Sequence, residues 1–118
     1  MQYSEKDIEN MILDDIGVID PELYIVGNQI SLGGYGILDI LAFNPKKREY
    51  VVIEIKSEIA TEKTITQIMR YIQAIKDFLE ERNENYNVSG IIAAPDIEND
   101  ATSALRFIQD TVKFYKLY

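Results

Sequence analysis

The longest regular pattern in the chain is helical, and it limits how the other segments can pack. Between Thr61 and Arg82, apolar residues recur at steps of three and four, with charged residues on the other side. The apolar positions are Ile65, Ile68, Met69, Ile72, Ile75 and Leu79. This spacing predicts a long amphipathic helix whose apolar side is buried against another layer. Because strand patterns precede it, we expect the helix to lie across one face of a sheet.

Three strand patterns come before the long helix and are joined by short connections. Leu23–Leu32, Ile37–Phe43 and Tyr50–Lys56 are rich in β-branched and other apolar residues. The glycine-rich segment 33–36 forms the first connection, and the charged turn 44–49 forms the second. Strands in series with such short connections predict an antiparallel meander.

The remaining segments complete a mixed order of helices and strands. Ser4 can cap an N-terminal helix that runs to about Ile16. After the long helix, the pattern predicts an inner strand at Val88–Ala94, a helix at Asn99–Asp110 and a last strand at Val112–Leu117. The predicted fold is α/β (α+β), in the order αβββαβαβ, with helices flanking a mixed sheet. At 118 residues we expect a single domain over 1–118.

Composition limits the chemistry that the chain can perform. The sequence has no cysteine and no histidine, which excludes disulfides, thiolate or imidazole zinc sites and Ser-His-Asp triads. Any reaction must therefore use carboxylates, lysine, hydroxyl groups and hard cations.

The charge balance bears on possible partners. Twelve Lys and Arg residues against 20 Asp and Glu residues give a net charge of −8, which disfavours extensive phosphate contacts. A local basic patch or a bound divalent cation can offset this charge where it matters. We find no leader pattern and no apolar run long enough to span a membrane, so we expect a cytoplasmic protein with no membrane partner.

One carboxylate stands alone inside an apolar strand. Asp39 lies between Ile37 and Leu41 on its own face of the predicted strand. An ionised carboxylate buried there needs an ion pair, hydrogen bonds or a metal, because burial without a partner costs several kcal/mol. The alternative is an exposed aspartate on an edge strand.

The next strand supplies a candidate partner for Asp39. The strand period of two places Glu54 and Lys56 on one face, opposite Ile55 and its apolar neighbours. A hairpin with a turn of about six residues can bring Asp39 and Glu54 together across the strands. Two converging carboxylates, with the backbone carbonyl of Ile55 and water, suit the oxygen-only preference of Mg²⁺ or Mn²⁺. Lys56 beside them could orient water or offset phosphoryl charge, which suggests phosphodiester hydrolysis.

These residues, in this order of elements, resemble the PD-(D/E)XK nuclease superfamily, and more closely the C-terminal nuclease domain of the NucS/EndoMS endonucleases. The resemblance extends from Glu5 to Tyr118. It is carried by the phrases Gly36–Ala42, Val51–Lys56, Gln67–Tyr71, Gly90–Pro95 and Val112–Leu117.

The resemblance implies roles for individual residues. Asp39 and Glu54 would be metal ligands together with the Ile55 carbonyl, and Lys56 would be the catalytic lysine. Glu9 matches an acid on the first helix, as a further ligand and catalytic residue, and Gln67 would be an active-site residue. A surface position is the alternative for Glu9. Residues at the border of this site are candidates for DNA contact, namely Lys63, Arg70 and Tyr71; Tyr71 could equally be a packing aromatic.

The resemblance implies a Mg²⁺-dependent DNA endonuclease acting on single-stranded, branched or mismatched DNA. The family's N-terminal DNA-binding domain is not in this sequence. We therefore expect a homodimer or a separate DNA-binding partner protein to supply substrate. Two alternatives remain open: an inactive nuclease fold that serves as a nucleic-acid or protein interaction module, and a Holliday-junction resolvase or restriction-type nuclease.

Overall fold

The five strands of the chain form one mixed sheet in the computed structural model, which describes residues 3–118. The strands are β1 (Tyr24–Ser31), β2 (Ile37–Asn44), β3 (Glu49–Ile55), β4 (Asn87–Ala94) and β5 (Val112–Lys116), and they lie side by side in chain order. The β1–β2 and β2–β3 pairs are antiparallel, and the β3–β4 and β4–β5 pairs are parallel. The predicted meander is confirmed, and β3 is the middle strand. The predicted inner position of β4 is also confirmed.

Among residues 3–118, three α-helices flank the sheet: α1 (Glu5–Asp14), α2 (Glu62–Glu81) and α3 (Asn99–Arg106). The α1 helix begins as expected, with Ser4 Oγ accepting from the Asp7 N–H at 3.0 Å and Asp7 Oδ2 accepting from the Ser4 N–H at 3.3 Å. Within residues 3–118, no helix combines the length and the apolar character needed to cross a bilayer.

The sheet separates two buried apolar layers. The layer that packs under α2 includes Leu38, Leu41, Val52, Ile68, Ile72, Ile92 and Val112. The layer that packs under α1 includes Ile8, Ile12, Ile40, Val51, Ile53, Ile55 and Ala93. Because β3 contributes alternate residues to both layers, it is buried on both faces. The predicted mixed α/β fold with flanking helices is confirmed.

The third helix is shorter than the sequence pattern predicts. It ends at Arg106 and not at Asp110. The Phe107 and Ile108 N–H groups bond to carbonyls three residues back, at 3.2 and 3.0 Å. The Phe107 side chain is 91% exposed, so no apolar burial supports a further α-helical turn there.

Close approach of α2 to β4 generates a prediction about stability. A Cβ added at Gly90 would lie 2.7 Å from Ile68 Cδ1 and 3.0 Å from Ile72 Cδ1, and Ile68 is fully buried. We therefore expect Gly90→Ala to lower the free energy of unfolding by about 1–3 kcal/mol through overpacking. Urea denaturation measures this change. Gly34→Ala is the matched control, since nothing lies within 4 Å of a Cβ there. Equal effects of the two substitutions would contradict the close approach.

Candidate active site

The site begins where β2 and β3 stop pairing. Their ladder runs from Asn44 opposite Glu49 to Ile40 opposite Ile53. One step further the same register sets Asp39 opposite Glu54, but the backbone ladder does not continue. The Ile55 N–H instead donates to Asp39 Oδ2 at 2.8 Å. A side chain thus replaces the backbone acceptor at the point where the two strands separate.

The backbone of β2 turns at the same point. Leu38 packs in the layer under α2, whereas Ile40 packs in the layer under α1. In a regular strand these two residues would share a face. The turn between them directs the half-buried Asp39 toward β3, where its carboxylate receives the Ile55 N–H.

Glu54 is the second carboxyl of the site and is only 5% exposed. Its pKa is raised from 4.5 to about 9, first by burial, then by a hydrogen bond with Asp39 and by the charges of Asp39 and Glu5; Lys56 opposes the shift. In the metal-free protein Glu54 is therefore protonated at neutral pH, and its carboxyl is hydrogen-bonded to that of Asp39. The sequence prediction that these two side chains converge agrees with this contact.

Lys56 lies just beyond β3, on the same face as Glu54. Its backbone N–H bonds to the Ala93 carbonyl at 2.9 Å, which extends the parallel pairing with β4 past Ile55. The ammonium of this half-buried lysine acts on Glu54 in the direction that favours the ionised carboxylate. The structure thus brings Asp39, Glu54 and Lys56 together at one end of the sheet.

Gln67 and Tyr71 of α2 hold the segment that leads into β2. Gln67 Nε2 donates to the Tyr35 carbonyl at 3.2 Å, and Tyr71 Oη donates to the Ile37 carbonyl at 2.9 Å. Between these carbonyls Gly36 has a φ of +114°, and a Cβ there would lie 3.0 Å from Tyr71 Oη. Both side chains therefore fix the backbone just before Asp39, a geometry that the sequence pattern does not indicate.

The charges of the site also act on the hydroxyl of Tyr71. The pKa of its hydroxyl is raised, mainly by burial and then by the charges of Glu54 and Asp39. Arg70 lies next to it, with its guanidinium 5.9 Å from the Tyr35 ring centre. Lys63 is exposed in the first turn of α2. By helical spacing, Lys63 and Arg70 lie on the side of α2 that carries Gln67.

The acids of α1 are placed differently from the sequence expectation. Glu9 is 4% exposed, and its two oxygens accept hydrogen bonds from Asn28 and Gln29 at 2.9 Å each. Among residues 3–118 it has no hydrogen bond to Asp39 or Glu54. Glu5, one turn earlier, is the helix acid whose charge reaches Glu54, and its Oε2 lies 3.5 Å from the Ser57 N–H. Helical spacing alone places both acids on one side of α1 and could not separate their roles.

The donor atoms at the site fit a hard divalent cation. Asp39 and Glu54 present carboxylate oxygens at a place where a proton now offsets their repulsion, and oxygen ligands are what Mg²⁺ and Mn²⁺ prefer. In the part of the chain that the structure describes, no group of three or more acidic, histidine or cysteine side chains is assembled to hold a metal ion. A cation here would rely on two carboxylates, with backbone oxygen, water or substrate as further ligands.

Two cavities, of about 620 and 580 Å³, lie along the second half of α2, and neither is lined by Asp39, Glu54 or Lys56. The candidate site therefore coincides with neither cavity.

The raised pKa of Glu54 predicts how stability depends on pH. Its carboxyl is protonated in the folded, metal-free protein up to about pH 9 but ionises near 4.5 in the unfolded chain. Unfolding in this window releases a proton, so the free energy of unfolding is highest below the lower value and falls as pH rises. In Glu54→Gln the free energy of unfolding should not fall in this way. Urea denaturation in EDTA at about pH 6 and about pH 8.5 measures the difference. The exposed Glu58→Gln should keep the wild-type fall. A parallel slope in Glu54→Gln would contradict the raised pKa.

Comparison with known structures shows the same architecture. A crystal structure of a repair endonuclease from Pyrococcus abyssi matches with a TM-score of 0.79 at 26% identity, over 99% of this chain and 48% of that protein. A structure of an EndoMS–dsDNA complex matches with a TM-score of 0.81 at 23% identity, over 99% of this chain and 45% of that one. The second match shows a shared fold.

Comparison of sequences identifies the family. The curated endonuclease NucS of Methanopyrus kandleri is 35% identical over 94 residues, which is 80% of this chain and 34% of the relative. The chain thus spans about a third of the length of that relative. Residues 4–117 match the family described as the endonuclease NucS C-terminal domain. The chain belongs to this family.

Proposed function

We propose that the chain is the nuclease domain of a Mg²⁺- or Mn²⁺-dependent DNA endonuclease that hydrolyses phosphodiester bonds in single-stranded, branched or mismatched DNA. Membership of the NucS C-terminal domain family supports an endonuclease. The observation that carries the proposal is the contact between Asp39 and Glu54 beside Lys56. The buried Glu54 carboxyl contacts the carboxyl of Asp39, and a cation between them would offset the charge of both groups when they are ionised.

Each side chain of the site has a proposed task in hydrolysis. Asp39 and Glu54, with the Ile55 carbonyl, would hold the cation, which when bound would supply positive charge near the phosphoryl group and the attacking water. Lys56 orients the water or offsets negative charge that develops on phosphate oxygens. Gln67 and Tyr71 keep the backbone before Asp39 in place, so that the carboxylates stay aligned.

DNA is the proposed substrate because a structural relative is described in complex with double-stranded DNA and another is described as a repair endonuclease. The net charge of −8 opposes strong binding by this domain alone. We therefore propose that a homodimer or a separate DNA-binding partner supplies most of the affinity. Lys63 and Arg70 would contact phosphates at the edge of the site, with Tyr71 beside them.

An inactive interaction module is the second candidate function. The observation that favours it is that no set of three metal-binding side chains is assembled among residues 3–118. Cleavage assays with Mg²⁺ or Mn²⁺ on single-stranded, flap and mismatched DNA separate the two functions, since an inactive module would cut none of them. A resolvase or restriction-type enzyme would instead cut junction or duplex substrates in the same assays.

We expect Asp39→Asn, Glu54→Gln and Lys56→Ala each to lower the cleavage rate by about 100-fold or more, because each removes charge from the reacting centre. Single-turnover assays with Mg²⁺ measure the rate. Lys47→Ala, in the exposed turn at the other end of β2 and β3, is the control and should cut like wild type. Cleavage retained in all three site variants would contradict the assignment of these residues to the active site.

Mg²⁺ should also raise the Tm of the wild-type protein but not that of Asp39→Asn, since a ligand that binds the folded form stabilises it.

Phosphate contacts from α2 predict a change in salt dependence. We expect Lys63→Ala and Arg70→Ala each to reduce the slope of log affinity against log salt by about 0.7–0.9, the value for one lost contact. Binding to labelled DNA at several salt concentrations, with Ca²⁺ in place of Mg²⁺ to prevent cleavage, measures the slope. Lys76→Ala, exposed on the distal half of α2, is the control. If Lys76→Ala lowered the slope as much as the other two, the contacts would not be local to the site.

A further inference from the structure

Glu9 anchors an irregular position in β1. Its Oε2 accepts from Asn28 Nδ2 and its Oε1 accepts from Gln29 Nε2, each at 2.9 Å. Adjacent residues in a regular strand point to opposite faces, so one carboxylate could not bind both side chains. Here both reach Glu9 because Gln29 has a φ of +49°, in the left-handed region.

The left-handed conformation of Gln29 needs support from its surroundings. A residue with a Cβ rarely adopts this conformation, because the Cβ crowds the neighbouring backbone. Two hydrogen bonds from amide groups to a buried carboxylate are charge-assisted and supply that support. Both oxygens of the buried Glu9 carboxylate are occupied by these two hydrogen bonds.

The irregular position in β1 lies directly beside the site. In the β1–β2 ladder Asn28 is opposite Ile40 and Ile30 is opposite Leu38, so Gln29 is opposite Asp39. Asp39 is also the position at which β2 turns from one apolar layer to the other. The left-handed Gln29 in β1 and the turn at Asp39 in β2 are therefore at directly opposite positions of the sheet.

We infer that Glu9 is a positioning residue, which acts on the reaction through Gln29 and not as a metal ligand. By holding Gln29 left-handed it sets the path of β1 beside Asp39, and this path fixes the direction in which the Asp39 carboxylate points. The inference rests on the proposed function and assigns Glu9 a different task from the one its sequence position suggested. The two acids of α1 thus differ in their contacts, since the charge of Glu5, and not that of Glu9, acts on Glu54.

Glycine at position 29 offers a direct test, because glycine adopts positive φ without a supporting anchor. We expect Glu9→Ala to lower the single-turnover cleavage rate by about 10–100-fold, the range for residues that orient a metal ligand. Adding Gln29→Gly to Glu9→Ala should restore most of the rate. It should also restore the Mg²⁺-dependent rise in Tm, a readout that does not depend on turnover. A double variant as impaired as Glu9→Ala would overturn the inference, since a lost ligand cannot be replaced by a change at position 29.

Two further variants keep the test decisive. If Glu9→Ala does not fold, Glu9→Gln retains one acceptor oxygen, and the same rescue is expected in Glu9→Gln with Gln29→Gly. Asp39→Asn, measured alongside, separates the two claims. Cleavage retained in Asp39→Asn overturns the proposed function. Cleavage lost in Asp39→Asn, with no rescue in the double variant, overturns only the role of Glu9.

Discussion

The contact between Asp39 and Glu54 is the interaction on which the site depends. The buried Glu54 and the half-buried Asp39 lie side by side, and they are stabilised by the hydrogen bond between their carboxyl groups and by the Ile55 N–H that donates to Asp39. The same contact requires that β2 and β3 separate at Ile40 and Ile53. The end of the ladder therefore creates the space in which the carboxylates meet.

Distant parts of the chain hold this end of the ladder in place. From one side, α2 fixes the entry to β2 through Gln67 and Tyr71. From the other side, α1 fixes β1 through Glu9 and its two amide partners. Asp39 thus lies between two sets of side-chain hydrogen bonds that belong to different layers of the fold. Each set holds a backbone segment next to Asp39.

Sequence patterns predicted the element order and the convergence of Asp39 and Glu54, because both follow from local periodicity and from hairpin register. They did not predict the bonds from Gln67 and Tyr71 to backbone carbonyls, or the left-handed Gln29, since these depend on contacts between segments far apart in the chain. The early end of α3 has the same origin, because the exposed Phe107 packs against no other part of the fold and so does not stabilise a further helical turn.

The middle position of β3 has a consequence for the way the molecule opens. Glu54 is carried by a strand that is paired on both edges and covered on both faces. Amide hydrogens of such a strand exchange with solvent only in the rare openings that disrupt the whole fold. Opening of the strand that carries this carboxyl therefore requires more than fraying at the termini and in surface loops.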